Sequence, residues 1–296
     1  MKDAAVPASS VDLLRTLADY VALTKPRLNV LVIATSAAGF YLGATAPISP
    51  LAFIATVVGT TLVAGGAAAL NQLYERESDA LMPRTRMRPL PDGRISAVEA
   101  RVFGTLLAVG GLILLFVFST LLSSALALAT LIVYLGIYTP LKRRSHIATL
   151  VGAVPGALPP LIGWAAARGI TIGGISLFLI VFLWQIPHFM AIAWMYRDDY
   201  RAAGFPLLTV IEPSGRRAGN EAVGYAAALV PVSMIPTFVG LSGLAYLTVA
   251  GVLSVALLAL AVRFGRRRTL TTARWLFFGS LTYLPLIWIV MIADKQ

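Results

Sequence analysis

Two short stretches of the chain carry oxygen donors at spacings that could hold a metal ion. The first is Asn71-Gln72-Leu73-Tyr74-Glu75-Arg76-Glu77-Ser78-Asp79, which follows a long apolar run. On a helix, Asn71, Glu75 and Asp79 fall at i, i+4 and i+8 and share one face, while Glu77 points elsewhere. The second is Asp198-Asp199-Tyr200, which also ends an apolar run. Hard oxygen donors without Cys or His suit Mg²⁺, which usually takes one or two carboxylates and fills its shell with water and phosphate oxygens. Next to the first stretch lies Arg84-Thr85-Arg86-Met87-Arg88-Pro89, and Lys142-Arg143-Arg144 follows later. A metal together with guanidinium and ammonium groups is what a diphosphate requires. The metal offsets its charge and the guanidiniums fork onto its oxygens. The candidate metal ligands are Asn71, Glu75, Asp79 and Asp198. The candidate diphosphate contacts are Arg84, Arg88, Lys142, Arg143, Asp199 and Tyr200. The competing reading is a set of ordinary loop charges in interfacial salt bridges. Two clusters on one side of a membrane weigh against it.

A third feature is His188, inside Trp184-Gln185-Ile186-Pro187-His188. It precedes Asp198 by ten residues, so on a helix rising about 1.5 Å per residue it lies about 15 Å deeper. An ionisable group at that depth is a functional candidate by default. The structural alternative is a neutral imidazole bonded to a neighbouring helix, filling the defect that Pro187 leaves. His146, beside Lys142–Arg144, reads as structural or topogenic.

The elements that must position these groups follow from composition. The chain is 58% hydrophobic and 12% charged, against roughly 45–50% and about 25% for a soluble domain. So little charge cannot cover a water-exposed surface, so lipid is the main solvent. With no Cys, disulfides, thiolate metal sites and iron–sulfur clusters are excluded. Apolar runs long enough to span a core of ~30 Å recur near 28–45, 51–70, 102–118, 121–139, 147–166, 172–195, 222–240, 243–262 and 274–293. The expected fold is an all-α integral membrane protein, a bundle of about nine transmembrane helices. Residues 1–27 read as a cytoplasmic tail with a short surface helix, and 28–296 as a single transmembrane domain. Tight turns are expected at Pro47–Pro50, Ser123–Ser124 and Ser242–Gly243. Gly39/Gly43 and Gly152/Gly156 have the spacing that lets helices approach closely. Trp164, Trp194, Trp275 and Trp288 lie near span ends and read as interfacial anchors.

Charge placement sets the orientation. Of 24 Lys and Arg, 22 fall in the N-terminal tail and the loops on its side of the membrane; only Arg168 and Lys295 fall opposite. The positive-inside rule then puts the N-terminus in the cytoplasm and the C-terminus outside. The net charge of +11 is therefore mostly topogenic, and a nucleic-acid partner is not expected. Of 13 Asp and Glu, all but Asp294 share the cytoplasmic side.

At these residues the sequence resembles the UbiA superfamily of intramembrane prenyltransferases, and within it the haem-farnesylating branch. The match runs from Thr24-Lys25-Pro26-Arg27 through Asn71…Glu75…Asp79 and the stretch MPRTRMRPLPDGRIS at 82–96. It continues with Tyr138-Thr139-Pro140-Leu141-Lys142-Arg143 and with GALPPLIGW at 156–164. It ends with Trp184-Gln185-Ile186-Pro187-His188-Phe189 and with DDYRAAGFP at 198–206. The superfamily's first motif usually reads NDxxDxxxD, where this chain has Gln72 and Glu75. The second is often DxxxD, where it has Ala202 as the last residue. These departures fit the haem branch and leave the number of metal ions open.

The resemblance implies a nine-helix bundle around a lateral cavity, in a multi-pass protein of the cell (inner) membrane with its active site facing the cytoplasm. It implies farnesyl diphosphate as donor, haem b as acceptor and Mg²⁺ as cofactor. Haem O would be the product, with a haem A synthase as a possible downstream partner. His188 would face the haem as iron ligand or proton-transfer group. The alternatives are another superfamily member prenylating an aromatic acceptor, or a secondary transporter. Transporter sites lie near the midplane at broken helices, whereas the acids here sit at one interface.

Overall fold

The computed structural model describes residues 10–45 and 47–296, with side chains from Leu13 onward. Residues 1–9 of the expected tail, Lys2 and Asp3 among them, lie outside the described residues. The described part of the tail forms a helix, α1, Ser10–Leu23. It leads through a tight turn at Thr24–Lys25 into α2, Pro26–Gly43, where Pro26 suits a first helical turn.

Among the described residues, eight helices are long and apolar enough to cross a membrane. They are α3 (Pro50–Leu81), α4 (Ala97–Phe118), a composite helix over Leu121–Leu141, α7 (Ala148–Arg168), α8 (Ile172–Met195), a broken helix over Arg216–Phe238, α13 (Leu244–Arg267) and α14 (Leu270–Ala293). The ninth expected span is α2. It falls short of that hydropathy because it opens with Pro26, Arg27 and Asn29, yet it packs into the bundle against α3 and α7. The broken helix consists of α11 (Arg216–Val232) and α12 (Ile235–Phe238). Two short helices, α9 (Arg197–Ala202) and α10 (Leu208–Ile211), cross the end of the bundle after α8. In water-free surroundings a helix satisfies its own backbone groups, which is why the apolar runs adopt this form.

The composite helix starts as α5 (Leu121–Leu131), widens into a π-helix over Ile132–Tyr138 and closes as α6 (Thr139–Leu141). Pro140 has no N–H and its ring crowds the preceding turn, so the ordinary ladder cannot run through it. The Thr139 hydroxyl donates to the Tyr134 carbonyl at 2.8 Å.

Glycine seams hold the bundle. A β-carbon at Gly39 would lie 2.1 Å from the Pro160 carbonyl oxygen, and one at Gly163 would lie 1.9 Å from that of Ser36. The backbones of α2 and α7 therefore touch. Gly66 against Gly104 joins α3 to α4 in the same way, and Gly219 against Gly265 joins α11 to α13. The expected close approach at Gly43, Gly152 and Gly156 is also present, against Trp164, Tyr138 and Gln185 respectively.

Two expectations need correction. The turn expected at Ser123–Ser124 lies at Ser119–Thr120, because Thr120 caps α5 and Ser123 completes its capping box. Trp164, Trp194 and Trp288 are buried core residues, and only Trp275 of the four is exposed. Gly173 and Gly174 make room for the Trp164 ring, and Gly215 does so for Trp194. Nearness to a span end had hidden this, since small residues in another segment decide whether an indole turns inward.

Candidate functional site

Helix α3 runs eleven residues past the span expected from hydropathy and ends at Leu81. That extension carries Asn71, Glu75 and Asp79 on one face, with 2%, 4% and 1% of their surface exposed. Glu77 turns outward and pairs with Arg76 at 4.0 Å.

Each of the three acceptors meets a cation from a different segment. Lys142, at the end of α6, places Nζ 3.0 Å from both Glu75 carboxylate oxygens. Arg88 donates from Nη1 to Asp79 Oδ2 at 2.7 Å. Lys25 donates from Nζ to Asn71 Oδ1 at 2.9 Å. Beside them, Arg143 donates from Nη2 to Ser78 Oγ at 2.5 Å. Asn71 is oriented by its other end, where Nδ2 donates to Thr139 Oγ1 at 3.2 Å.

The local folding explains the placement. The Asp79 carbonyl accepts from the Thr85 hydroxyl at 2.7 Å, folding the 82–95 loop back over the end of α3 and bringing Arg88 to Asp79. Arg94 ties the far side of that loop to Asp92, to the Met87 carbonyl and to Asp19 of α1. Lys25 adopts a left-handed conformation, φ 50° and ψ 59°. A side-chain-bearing residue enters that region at a cost. Gln72 holds the turn by donating to the Leu23 carbonyl at 2.7 Å. The Gln that departs from the superfamily motif thus acts on the segment that delivers Lys25.

The electrostatics are those of a crowded cationic site. Burial, with Arg88 nearby, lowers the Lys25 ammonium to about 8. Burial opposes the Lys142 charge as well, but Tyr138 and Glu75 hold its pKa above the usual lysine value. Phe205 covers Lys142, its ring 4.7 Å from Nζ. Arg84 lies over Tyr196 and Tyr200 at 5.1 and 5.9 Å and donates to the Tyr200 hydroxyl at 3.4 Å. Tyr200 of α9 therefore meets the 82–95 loop at the mouth.

Asp198 does not join the trio. Its side chain is 77% exposed, and it pairs with Arg201 at 3.1 Å and Arg197 at 3.9 Å. Asp199, a little over half a turn from Arg201 on the same short helix, is partly exposed. Among the described residues no group of three or more His, Cys, Asp and Glu is placed to hold a metal ion. Asn71, Glu75 and Asp79 nonetheless fit Mg²⁺ by donor chemistry, as one amide oxygen and two carboxylates on a single face.

Residues 31–284 match the UbiA prenyltransferase family. The protoheme IX farnesyltransferase of Solibacter usitatus is 44% identical over 287 residues, covering 94% of this chain and 98% of that protein. The chain belongs to the UbiA prenyltransferase family. A mitochondrial protoheme IX farnesyltransferase from Arabidopsis thaliana is 41% identical, covering 90% of this chain and 62% of that protein. Among solved structures, a digeranylgeranylglyceryl phosphate synthase superposes on this UbiA-family chain with a TM-score of 0.81 at 17% identity, covering 95% of this chain and 98% of that one. A UbiA homologue from Archaeoglobus fulgidus, bound to GPP and Mg²⁺, superposes with a TM-score of 0.65 at 17% identity, covering 93% and 99%.

In this UbiA-family chain His188 lies apart from the carboxylates. It is buried between α8 and α14, with the Trp184 and Phe277 rings stacked on it, each with its centroid 5.0 Å away. Its Nδ1 lies 2.8 Å from Ser280 Oγ. Ser280 spends its single hydroxyl proton on the Phe277 carbonyl at 2.7 Å. The proton in the His188–Ser280 bond therefore belongs to Nδ1, and Nε2 keeps its lone pair. Among the described residues Nε2 has no hydrogen-bond partner, yet it is not sealed inside the protein.

Lys25 is the site residue that the charge reading passed over, having counted it as a topogenic charge. Its neighbour Pro26, which marks a helix start, is the one local signal that a fixed turn precedes α2.

Proposed function

We propose that this chain transfers the farnesyl group of farnesyl diphosphate to a vinyl group of haem b, releasing diphosphate and giving haem O. The observation that carries the reading is the one-to-one meeting of Asn71, Glu75 and Asp79 with Lys25, Lys142 and Arg88. Oxygen donors for a metal and cations for a diphosphate meet at the end of α3. The acceptor is carried by the 44% identity to a protoheme IX farnesyltransferase across nearly the whole chain.

Asn71, Glu75 and Asp79 would hold Mg²⁺, which would supply charge neutralisation for a departing diphosphate. Lys25, Lys142, Arg88 and Arg143 grip the diphosphate oxygens, with Arg84 and Tyr200 at the mouth. Asp198 would join the metal ligands, and Asp199 the diphosphate contacts, only if α9 turned inward and Asp198 left its pairing with Arg201. The C1–O bond breaks with its electron pair leaving on diphosphate. The outer vinyl carbon bonds to C1, and water adds to the inner one with loss of a proton. The apolar bundle keeps other water away from C1. The protein is a single multi-pass domain of nine spans in the cell inner membrane, N-terminus and site on the cytoplasmic side. Its product is the substrate for a haem A synthase.

The decisive test is haem extraction from membranes with and without this protein, analysed by mass. Appearance of haem O supports the reading. A prenylated aromatic compound without haem O overturns the acceptor assignment.

Arg88→Lys keeps the charge but loses the planar fork. We expect a rise in KM for farnesyl diphosphate of about tenfold, the loss of one charge-assisted bond, with topology unchanged. An unaltered KM would return Arg88 to a purely topogenic role.

His188 is proposed to ligate the haem iron through Nε2, with Ser280 holding the tautomer. A ligating His commonly donates its other N–H to such a partner. His188→Ala should abolish the Soret shift when purified protein is titrated with haem b. Ser280→Ala should weaken that shift and Ser280→Thr should restore it. Loss of transfer with an unchanged spectrum would instead assign His188 to proton transfer.

A further inference from the structure

The end of the bundle remote from the carboxylates holds a cleft of about 670 Å³. The end of α2, the α7–α8 turn, the segment between α12 and α13, and residues 295–296 meet there. Ile172 and Val239 give it exposed apolar walls, backed by the buried Leu42, Trp164 and Leu241. Its two cations are Arg168 and Lys295, the same two that charge counting separates from all the others.

Both are built into the fold. Lys295 is pinned by a backbone bridge to Ser242, and the next residue donates its N–H to the Leu241 carbonyl at 3.1 Å. Lys295 Nζ donates to the Tyr41 and Ala44 carbonyls at 2.6 and 2.8 Å. An ammonium has three N–H groups, so one remains. The Arg168 guanidinium lies 6.0 Å from the Trp164 ring and, among the described residues, makes no hydrogen bond or ion pair. No described carboxylate lies within ion-pair distance of either cation. Burial, and then the charge of Arg168, lower the pKa of Lys295. Among the described residues the two positive charges meet carbonyls and the Tyr41 and Trp164 rings but no carboxylate at ion-pair distance, so they act on each other without a paired anion. Repulsion of this kind is relieved by an anion placed between them.

We propose that this cleft binds the phosphate of an anionic lipid head group between Arg168 and Lys295. The apolar walls select a lipid over a free anion, because the first carbons of its tails can lie against the exposed Ile172 and Val239. The helix ends that form the cleft are also where a bilayer places its head groups. The site is independent of the prenyl-transfer reading, since it shares no residue with the carboxylate end.

Native mass spectrometry of the full chain in neutral detergent tests this, with phosphatidylglycerol titrated against phosphatidylcholine. The wild type should retain phosphatidylglycerol preferentially. Arg168→Gln should cut that preference about fivefold, the effect of one cation near a membrane surface. Lys295→Arg, which keeps the charge, should preserve it. No preference in the wild type, or the same preference in Arg168→Gln, overturns the proposal. Thermal stabilisation by inorganic phosphate as large as that by phosphatidylglycerol would overturn the lipid as the source of the anion.

Discussion

Asp79→Ala is expected to lower farnesyl transfer by about 10²–10³-fold, the usual cost of removing one group aimed at developing charge. The protein should remain folded in the membrane. What the site's architecture takes from residue 79 is its backbone carbonyl, which holds Thr85 and the 82–95 loop and survives the substitution. What it loses is the carboxylate 2.7 Å from Arg88. The Arg88 side chain is already 31% exposed, so it can turn to water instead of staying buried and unpaired. Transfer rates at limiting Mg²⁺, beside the amount of folded protein in membranes, check this. Activity within about threefold of wild type, far short of that loss, would remove Asp79 from the site.

Metal and diphosphate should bind as a pair, each about 100-fold more tightly in the presence of the other, near the upper end of ordinary coupling energies. In the structure Glu75 holds Lys142, Asp79 holds Arg88 and Asn71 holds Lys25. Mg²⁺ arriving alone would take the acceptors and strand Lys25 and Lys142, while Arg88 turned to water. Diphosphate arriving alone would take the cations and strand two carboxylates. A stranded buried charge costs several kcal/mol, and only joint arrival leaves every charge matched. Calorimetric titration with a farnesyl thiodiphosphate, with and without Mg²⁺ and corrected for their complex in solution, measures the coupling. Lys142→Met should let Mg²⁺ bind alone, because Glu75 is then released. Equal metal affinity with and without the thiodiphosphate would exclude the coupling.

The carboxylate face was legible because it depends only on helical period. Asn71, Glu75 and Asp79 share a face wherever α3 runs past the membrane boundary, and it does. The cations at Arg88 and Lys142 were legible by type and proximity, though nothing in the sequence states which acid each one meets. Lys25 was not legible. Its part depends on a left-handed turn and on a bond from Gln72, and neither leaves a periodic signal. Asp198 is the opposite case: adjacency to a second acid at a span end marks it in the sequence, while its pairing with Arg201 is visible only in the fold. The π-helical stretch was also hidden. Pro140 foretells a defect, but whether the chain answers with a kink, a break or a wider turn depends on neighbours such as Gly152, which leaves room for Tyr138.

The seam between α2 and α7 has a mechanical consequence. Where Gly39 meets Pro160 and Gly163 meets Ser36, two backbones touch with no side chain between them. Side chains are the compliant part of a helix interface, because they can change rotamer while the main chain cannot. This joint is therefore stiff, and sliding along it would need whole helices to separate. Any breathing that admits a molecule as wide as a tetrapyrrole must come from cushioned joints, such as the stacked Phe277 and His188 rings between α14 and α8. The α2–α7 joint serves as the fixed spine against which those looser walls move.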